Sequence, residues 1–152
     1  MDIGFGGDPI VDEAMCLDRY PGHPGRHCGE VCKPTHLVGD AANLLWFRDG
    51  VLDYVFSSHV LEDFDDTAAV LVEWCRVLRP GGMLVLFLPD QKTYAKFCED
   101  AGQQSNQAHK HAEFSLEWVR QRLPSNMEVV HAAFPVDYNP YSFEFVAQKQ
   151  SP

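Results

Sequence analysis

Residues 52 to 90 constrain the fold more than any other part of the chain. Leu52-Asp53-Tyr54-Val55-Phe56-Ser57 is short, β-branched and aromatic, and predicts a buried strand. Asp65, Asp66 and Thr67 follow as helix N-cap residues. Val70, Leu71, Trp74, Val77 and Leu78 then recur on one helical face. Arg79 is expected at the C-terminal end of that helix, where a cation suits the dipole, and Pro80-Gly81-Gly82 is expected to stop it. Met83 to Leu88 is continuously apolar, the signature of a strand covered on both faces. Strand, helix and strand of these lengths make a right-handed βαβ unit.

The flanking chain extends this pattern. Ala14–Leu17 and His36–Val38 are short apolar runs ending at Asp18 and at Gly39-Asp40. Between them, residues 19–34 hold three Pro and three Gly and read as a loop. Ala41 to Phe47 is expected to form a helical turn. Gln91–Glu99 reads as a helix, and Ser115 caps another over Leu116, Val119 and Leu123. Met127–Phe134 and Tyr141–Gln148 read as closing strands. Trp74 is expected in the core, and Trp46 and Phe47 under the third crossover. The sum is an α/β fold with a mostly parallel seven-stranded sheet. The 152 residues are expected to form one domain, 1–152.

Charge and cysteine content narrow the function. Twelve Lys and Arg against 22 Asp and Glu give a net charge of −10, which disfavours nucleic-acid partners. No apolar run reaches membrane-spanning length and no signal peptide is visible, so no membrane partner is expected. Five cysteines without a framework spacing suit a cytoplasmic location. His23, His27, Cys28, Cys32 and His36 cluster in the loop, but their spacing is not that of zinc sites, and no metal is expected.

In open α/β sheets, ligands bind at the carboxyl ends of the strands. Here those ends carry Asp2-Ile3-Gly4-Phe5-Gly6-Gly7, Asp18-Arg19, Asp40-Ala41, Ser57-Ser58-His59 and Pro89-Asp90. Glycines admit a ligand close to the backbone. An acid at the second strand end can accept both hydroxyls of a ribose. An acid at the third can accept an exocyclic amine. Together they describe an adenosine-bearing ligand.

These segments resemble the class I S-adenosylmethionine-dependent methyltransferases, a family of transferases with a Rossmann-like core. Asp2–Gly7 resembles the family's first motif, Asp18 its ribose-binding acid and Gly39-Asp40-Ala41 its adenine-side motif. Residues 52–62 resemble its fourth-strand motif, and Arg76–Gly82 the turn before strand five. The resemblance implies a three-layer sandwich with sheet order 3-2-1-4-5-7-6 and strand seven antiparallel. It implies S-adenosylmethionine as cofactor. The cofactor-binding residues expected are Asp2, Gly4, Phe5, Gly6, Asp18, Arg19, Asp40, Ala41, Ser57, Ser58 and His59.

Departures from the pattern carry their own expectations. The first strand is clipped, as in a core trimmed at its N-terminus, and only Asp8 to Glu13 joins the glycine loop to the second strand. One sheet face is therefore expected to be under-covered, to be closed by an N-terminal segment or by a second copy in a homodimer. Asp63 stands where the family commonly has His. Glu62 is expected to begin the following helix. His59, His109 and His111 are candidate catalytic bases, each with an ordinary structural role as the alternative. The reading that follows is methyl transfer to a small-molecule acceptor. The competing readings are a catalytically inactive methyltransferase-like binding or assembly subunit, and nicotinamide-dependent oxidoreduction. The last lacks a Tyr-Lys hydride-transfer signature.

Overall fold

The computed structural model describes residues 1–6, 9–21 and 34–151. The strands are β1 (Asp2–Ile3), β2 (Cys16–Asp18), β3 (Leu37–Val38), β4 (Leu52–Ser58), β5 (Leu78–Pro89), β6 (Met127–Ala133) and β7 (Ser142–Lys149). They form one sheet in the order β3-β2-β1-β4-β5-β7-β6. β1 to β5 pair in parallel, and β7 runs antiparallel between β5 and β6. The helices among the described residues are α1 (Thr67–Val77), α2 (Gln91–Asp100) and α3 (Leu116–Arg122), with a 3-10 turn at Leu61–Asp63. The expected sheet order and the antiparallel seventh strand are both present.

Helices α1 and α3 cover one sheet face. Val70, Leu71, Trp74 and Val77 of α1 and Val119 of α3 join Val55, Leu84, Leu86, Phe143, Phe145 and Ala147 from the sheet in one core. The side-chain period of a strand sends Tyr54, Phe56, Val85, Phe87, Glu144 and Val146 to the opposite face, where all are only half-buried. An open hollow of about 450 Å³ lies there, bordered by Ile10, Phe56, Phe87, Tyr138 and Val146. Among the described residues, continuous apolarity in β5 is thus not matched by cover on both faces. The face expected to be under-covered is half-exposed among the described residues.

Five local expectations change. Pro80-Gly81-Gly82 does not stop α1. The helix ends at Val77, and β5 begins at Leu78. The register jumps from Leu52↔Leu78 to Tyr54↔Met83, so residues 79–82 bulge out of the ladder, with Gly81 at φ +77. Arg79 therefore leaves the helix end and pairs with Asp53 at 2.6 Å. Its expected place is taken by Lys149, whose Nζ donates to the carbonyls of Cys75, Arg76 and Leu78 at 2.8, 3.2 and 2.7 Å. Ala41–Phe47 forms turns rather than a helix, because side chains satisfy its backbone. Glu73 accepts from the Leu44 N–H, and Arg76 donates to the Leu44 and Phe47 carbonyls. Glu62 lies in the separate 3-10 turn, not in α1, which is capped by the Asp66 carboxylate on the Ala69 N–H. Trp46 is 62% exposed, not packed under a crossover, whereas Phe47 does pack against the core.

Candidate functional site

The carboxyl ends of β1, β2 and β3 open on a cavity of about 610 Å³. Its size is that of a small-molecule or cofactor pocket. Gly4 forms the floor. Its backbone is left-handed (φ +62), and an added Cβ would fall 2.3 Å from Val60 Cγ2, so the position excludes a side chain twice over. The loop is held from behind by Asp2. Its Oδ2 accepts from the Ile10 N–H at 2.6 Å and its Oδ1 from the Tyr54 hydroxyl at 2.9 Å. Burial and this contact with Asp2 push the Tyr54 phenol well above its usual range.

Asp18 and Asp40 face the cavity from the ends of β2 and β3. The Gly39 N–H donates to the Asp18 carbonyl at 3.0 Å, which fixes the two ends side by side. Asp40 Oδ1 accepts from the Ala42 N–H at 2.9 Å. Trp74, from the core side, donates its indole N–H to the Ala41 carbonyl at 2.8 Å. A Cβ at Gly39 would meet the Trp46 indole ring at 2.1 Å, so any side chain there requires the ring to swing aside.

The wall opposite is the 3-10 turn after β4, with Val60, Asp63 and Phe64. Asp63 Oδ1 is buried and accepts no hydrogen bond among the described residues. Burial, then the neighbouring Glu62, raises the Asp63 carboxyl to about 6, against the opposing pull of Lys110 and His59.

Five of the eleven expected cofactor residues line this cavity: Gly4, Asp18, Arg19, Asp40 and Ala41. The other six lie elsewhere. Asp2 is fully buried behind the loop, and Phe5 packs on Ala14 and Cys16. Gly6 is at φ +60, with open space where a Cβ would stand. Ser57 is buried and donates to the Ile3 carbonyl at 3.2 Å. Ser58 and His59 continue the end of β4 outside the lining. Tyr20, Val60, Asp63 and Phe64 line the cavity without having been singled out as contacts. Only Asp63 carried a signal, as a departure from the family's usual His.

The three candidate bases sit in unlike settings. His111 contacts the Phe64 carbonyl through Nε2 at 2.9 Å and lies beside Trp118, which is a structural role. His109 contacts Gln91 Oε1 through Nδ1 at 2.6 Å, and burial lowers its pKa. His59 has a left-handed backbone (φ 53) and keeps 31% of its side chain exposed. Of the histidine and cysteine cluster in residues 23–36, only His36 is described; its Nδ1 accepts from the Cys16 N–H at 3.1 Å. The remaining four lie outside the described residues.

Residues 18–86 match a family model described as a methyltransferase domain. The demethylmenaquinone methyltransferase of Staphylococcus saprophyticus is 35% identical over an alignment covering 57% of this chain and 44% of that protein. Over residues 18–86 the chain is thus similar to a methyltransferase domain. It spans less than half the length of that curated relative. Among solved structures, a SAM-dependent methyltransferase from Methanosarcina mazei aligns with TM-score 0.64 at 18% identity, over 99% of this chain and 92% of that one. A complex of the Trm112 methyltransferase activator with a methyltransferase, from Haloferax volcanii, aligns with TM-score 0.62 at 19% identity, over 99% and 81%. At such identities these two report the fold.

The methyltransferase family implies S-adenosylmethionine as cofactor, and the residues present fit it. The cavity offers two carboxylates from adjacent strand ends, suited to hydroxyl and amine donors. It also offers an unsatisfied acceptor at Asp63 and a floor where only glycine is accommodated.

Proposed function

We propose that this chain is an S-adenosylmethionine-dependent methyltransferase acting on a small molecule. The cavity at the ends of β1 to β3, with Asp18 and Asp40 side by side, is the observation that supports this reading most strongly. Asp18 would accept the ribose hydroxyls and Asp40 the adenine amine, and Gly4 would let the ligand lie against the backbone. Asp63 would take a donor from the same ligand. Bound S-adenosylmethionine supplies an electrophilic methyl group on a sulfonium centre. The protein's part is to hold an acceptor in line with that group and to exclude water.

The net charge of −10 disfavours a nucleic-acid acceptor and agrees with a small one. The curated relative is named for a small acceptor, demethylmenaquinone, which supports the class and leaves the individual compound open. Calorimetry with S-adenosylmethionine and S-adenosylhomocysteine tests the reading. Wild type is expected to bind both, and Asp18→Ala to lose at least tenfold in affinity. Absence of binding to either ligand refutes it.

The half-exposed sheet face favours a second reading, a cofactor-binding subunit whose turnover requires a covering chain. Tight cofactor binding without turnover on any of a panel of hydroxyl, amine and carbon acceptors would select it.

A further inference from the structure

The 3-10 turn carries two acids that point to different places. Asp63 faces the cavity described above. Glu62 is 1% exposed, and neither of its carboxylate oxygens accepts a hydrogen bond among the described residues. A buried carboxylate in that condition is costly unless a cation or donor reaches it. Two imidazoles stand just short of doing so: His59 Nδ1 lies 3.5 Å and His109 Nε2 3.7 Å from Glu62 Oε1.

The two histidines differ in what they can do. His109 retains 6% side-chain exposure and has its other nitrogen engaged by Gln91 at 2.6 Å. It is a wall. His59 is open to solvent over 31% of its side chain. Its Nε2 lies 3.2 Å from the buried Ser142 hydroxyl. A serine hydroxyl donating to Nε2 leaves the ring hydrogen on Nδ1, aimed at Glu62. The residue is also held at φ 53, a conformation that a non-glycine residue adopts at some cost, as at many functional sites.

The surroundings of His59 are aromatic. Its ring meets Phe87 edge-on at 5.4 Å and Tyr141 at 6.2 Å. Phe87 stacks with Tyr138 at 5.6 Å, and Tyr94 lies 5.2 Å from Tyr141. Tyr138 is 72% exposed. These rings stand at the carboxyl end of β5 and the start of β7, beside the turn that also walls the first cavity.

We propose that Glu62 and His59 form a carboxylate–imidazole pair that binds the methyl acceptor by an acidic hydroxyl, the acceptor being a planar phenol or enol seated against Phe87, Tyr138 and Tyr141. This rests on the methyltransferase reading above and specifies its acceptor side. The hydroxyl displaces the serine contact at His59 Nε2 and transfers its proton there. The acceptor is left as an oxyanion and the ring as an imidazolium, while Glu62 remains a carboxylate and shortens its contact with Nδ1–H to a charge-assisted hydrogen bond. His59 is the catalytic residue of this step and Glu62 its positioning residue. The ionisable groups facing His59 are Glu62 and Asp63 on the turn, His109 from the segment after α2, and Tyr141 before β7; Lys110 acts on Asp63 beside them.

The test uses the full chain saturated with S-adenosylhomocysteine and 4-nitrophenol as probe, because the ionised probe absorbs in the visible. Wild type is expected to hold the probe as phenolate at a pH below the probe's own pKa. His59→Gln should abolish that ionisation and retain affinity for S-adenosylhomocysteine within threefold. Glu62→Gln should move the ionisation at least tenfold in proton concentration toward higher pH. Nitrogen-15 imidazole spectra of wild type without any ligand should show His59 protonated on Nδ1, a readout that does not depend on the folding of either variant. Three results overturn the proposal: a probe bound as neutral phenol in wild type, equal ionisation in His59→Gln, or failure of the probe to bind while S-adenosylhomocysteine does. Failure of the cofactor reading is distinguishable, since it appears as absent heat for S-adenosylhomocysteine itself.

Discussion

Replacing Asp63 by Asn should stabilise the protein, and only at neutral to alkaline pH. Asn keeps the shape of the side chain and removes the charge. In the folded chain the Asp63 carboxyl is raised from 3.8 to about 6, by burial first and by Glu62 second. The folded state therefore keeps the proton to higher pH than the unfolded state does. The cost of the charge is fully present above pH about 6, shrinks as pH falls, and is gone below about 3.8. A rise of two pKa units corresponds to a ceiling of about 3 kcal/mol. The side chain is only partly enclosed, so solvent screening reduces this to about 1 kcal/mol. For a chain of this length that is a rise in Tm of roughly 3 °C. Thermal melts of both proteins at pH 8 and pH 4 read the effect directly. The variant should melt higher at pH 8 and together with wild type at pH 4. A difference that is independent of pH, or one that favours Asp63 at pH 8, would refute the electrostatic argument.

Three further outcomes are expected. Asp2→Ala strands the Ile10 N–H and the Tyr54 hydroxyl at a fully buried site; chemical denaturation should show a loss of about 3 kcal/mol. Spectrophotometric titration should also find Tyr54 ionising at lower pH than in wild type, since one cause of its raised pKa is removed. Lys149→Met removes the cation that serves three carbonyls at the end of α1 and should cost about 2 kcal/mol by thermal denaturation. Gly39→Ala forces the Trp46 ring away from its 2.1 Å overlap with the new methyl, so tryptophan emission should shift and adenosine binding should weaken about tenfold, whereas an unchanged spectrum would show that the ring is not displaced.

The parts of the fold that could be read directly are those with strong periodicity. The helical face of Val70, Leu71, Trp74 and Val77 required an apolar surface beneath it, and β4 and β5 supply one. The acids at strand ends were legible because charge at such positions asks for a reason, and Asp18 and Asp40 do stand together at one cavity. Asp2 carries the same local signal, but its oxygens face inward to Ile10 and Tyr54. Which way a strand-end acid turns depends on a tyrosine fifty residues away, and no local pattern encodes that. The bulge at residues 79–82 was hidden for a related reason: Pro-Gly-Gly signals a turn equally well whether it ends a helix or swells a strand. The role of Glu62 was invisible because its partners, His59 and His109, approach it from two different segments.

The sheet is uneven in a way that bears on how it holds together over time. β1, β2 and β3 contain two, three and two residues, whereas β4, β5 and β7 contain seven, twelve and eight. Opening the short side sacrifices few ladder bonds, so its free energy of local unfolding should lie far below that of the long strands. The cavity sits on that short side. A ligand bridging the ends of β1 to β3 would then act as a brace: at a hundred times its dissociation constant it adds about 2.7 kcal/mol to whatever depends on those strands being formed. Amide exchange at Gly4, Leu17 and Gly39 should slow on saturation while exchange in β5 and β7 stays as it was. Cofactor binding in this chain is, on that view, the last stage of folding for three of the seven strands.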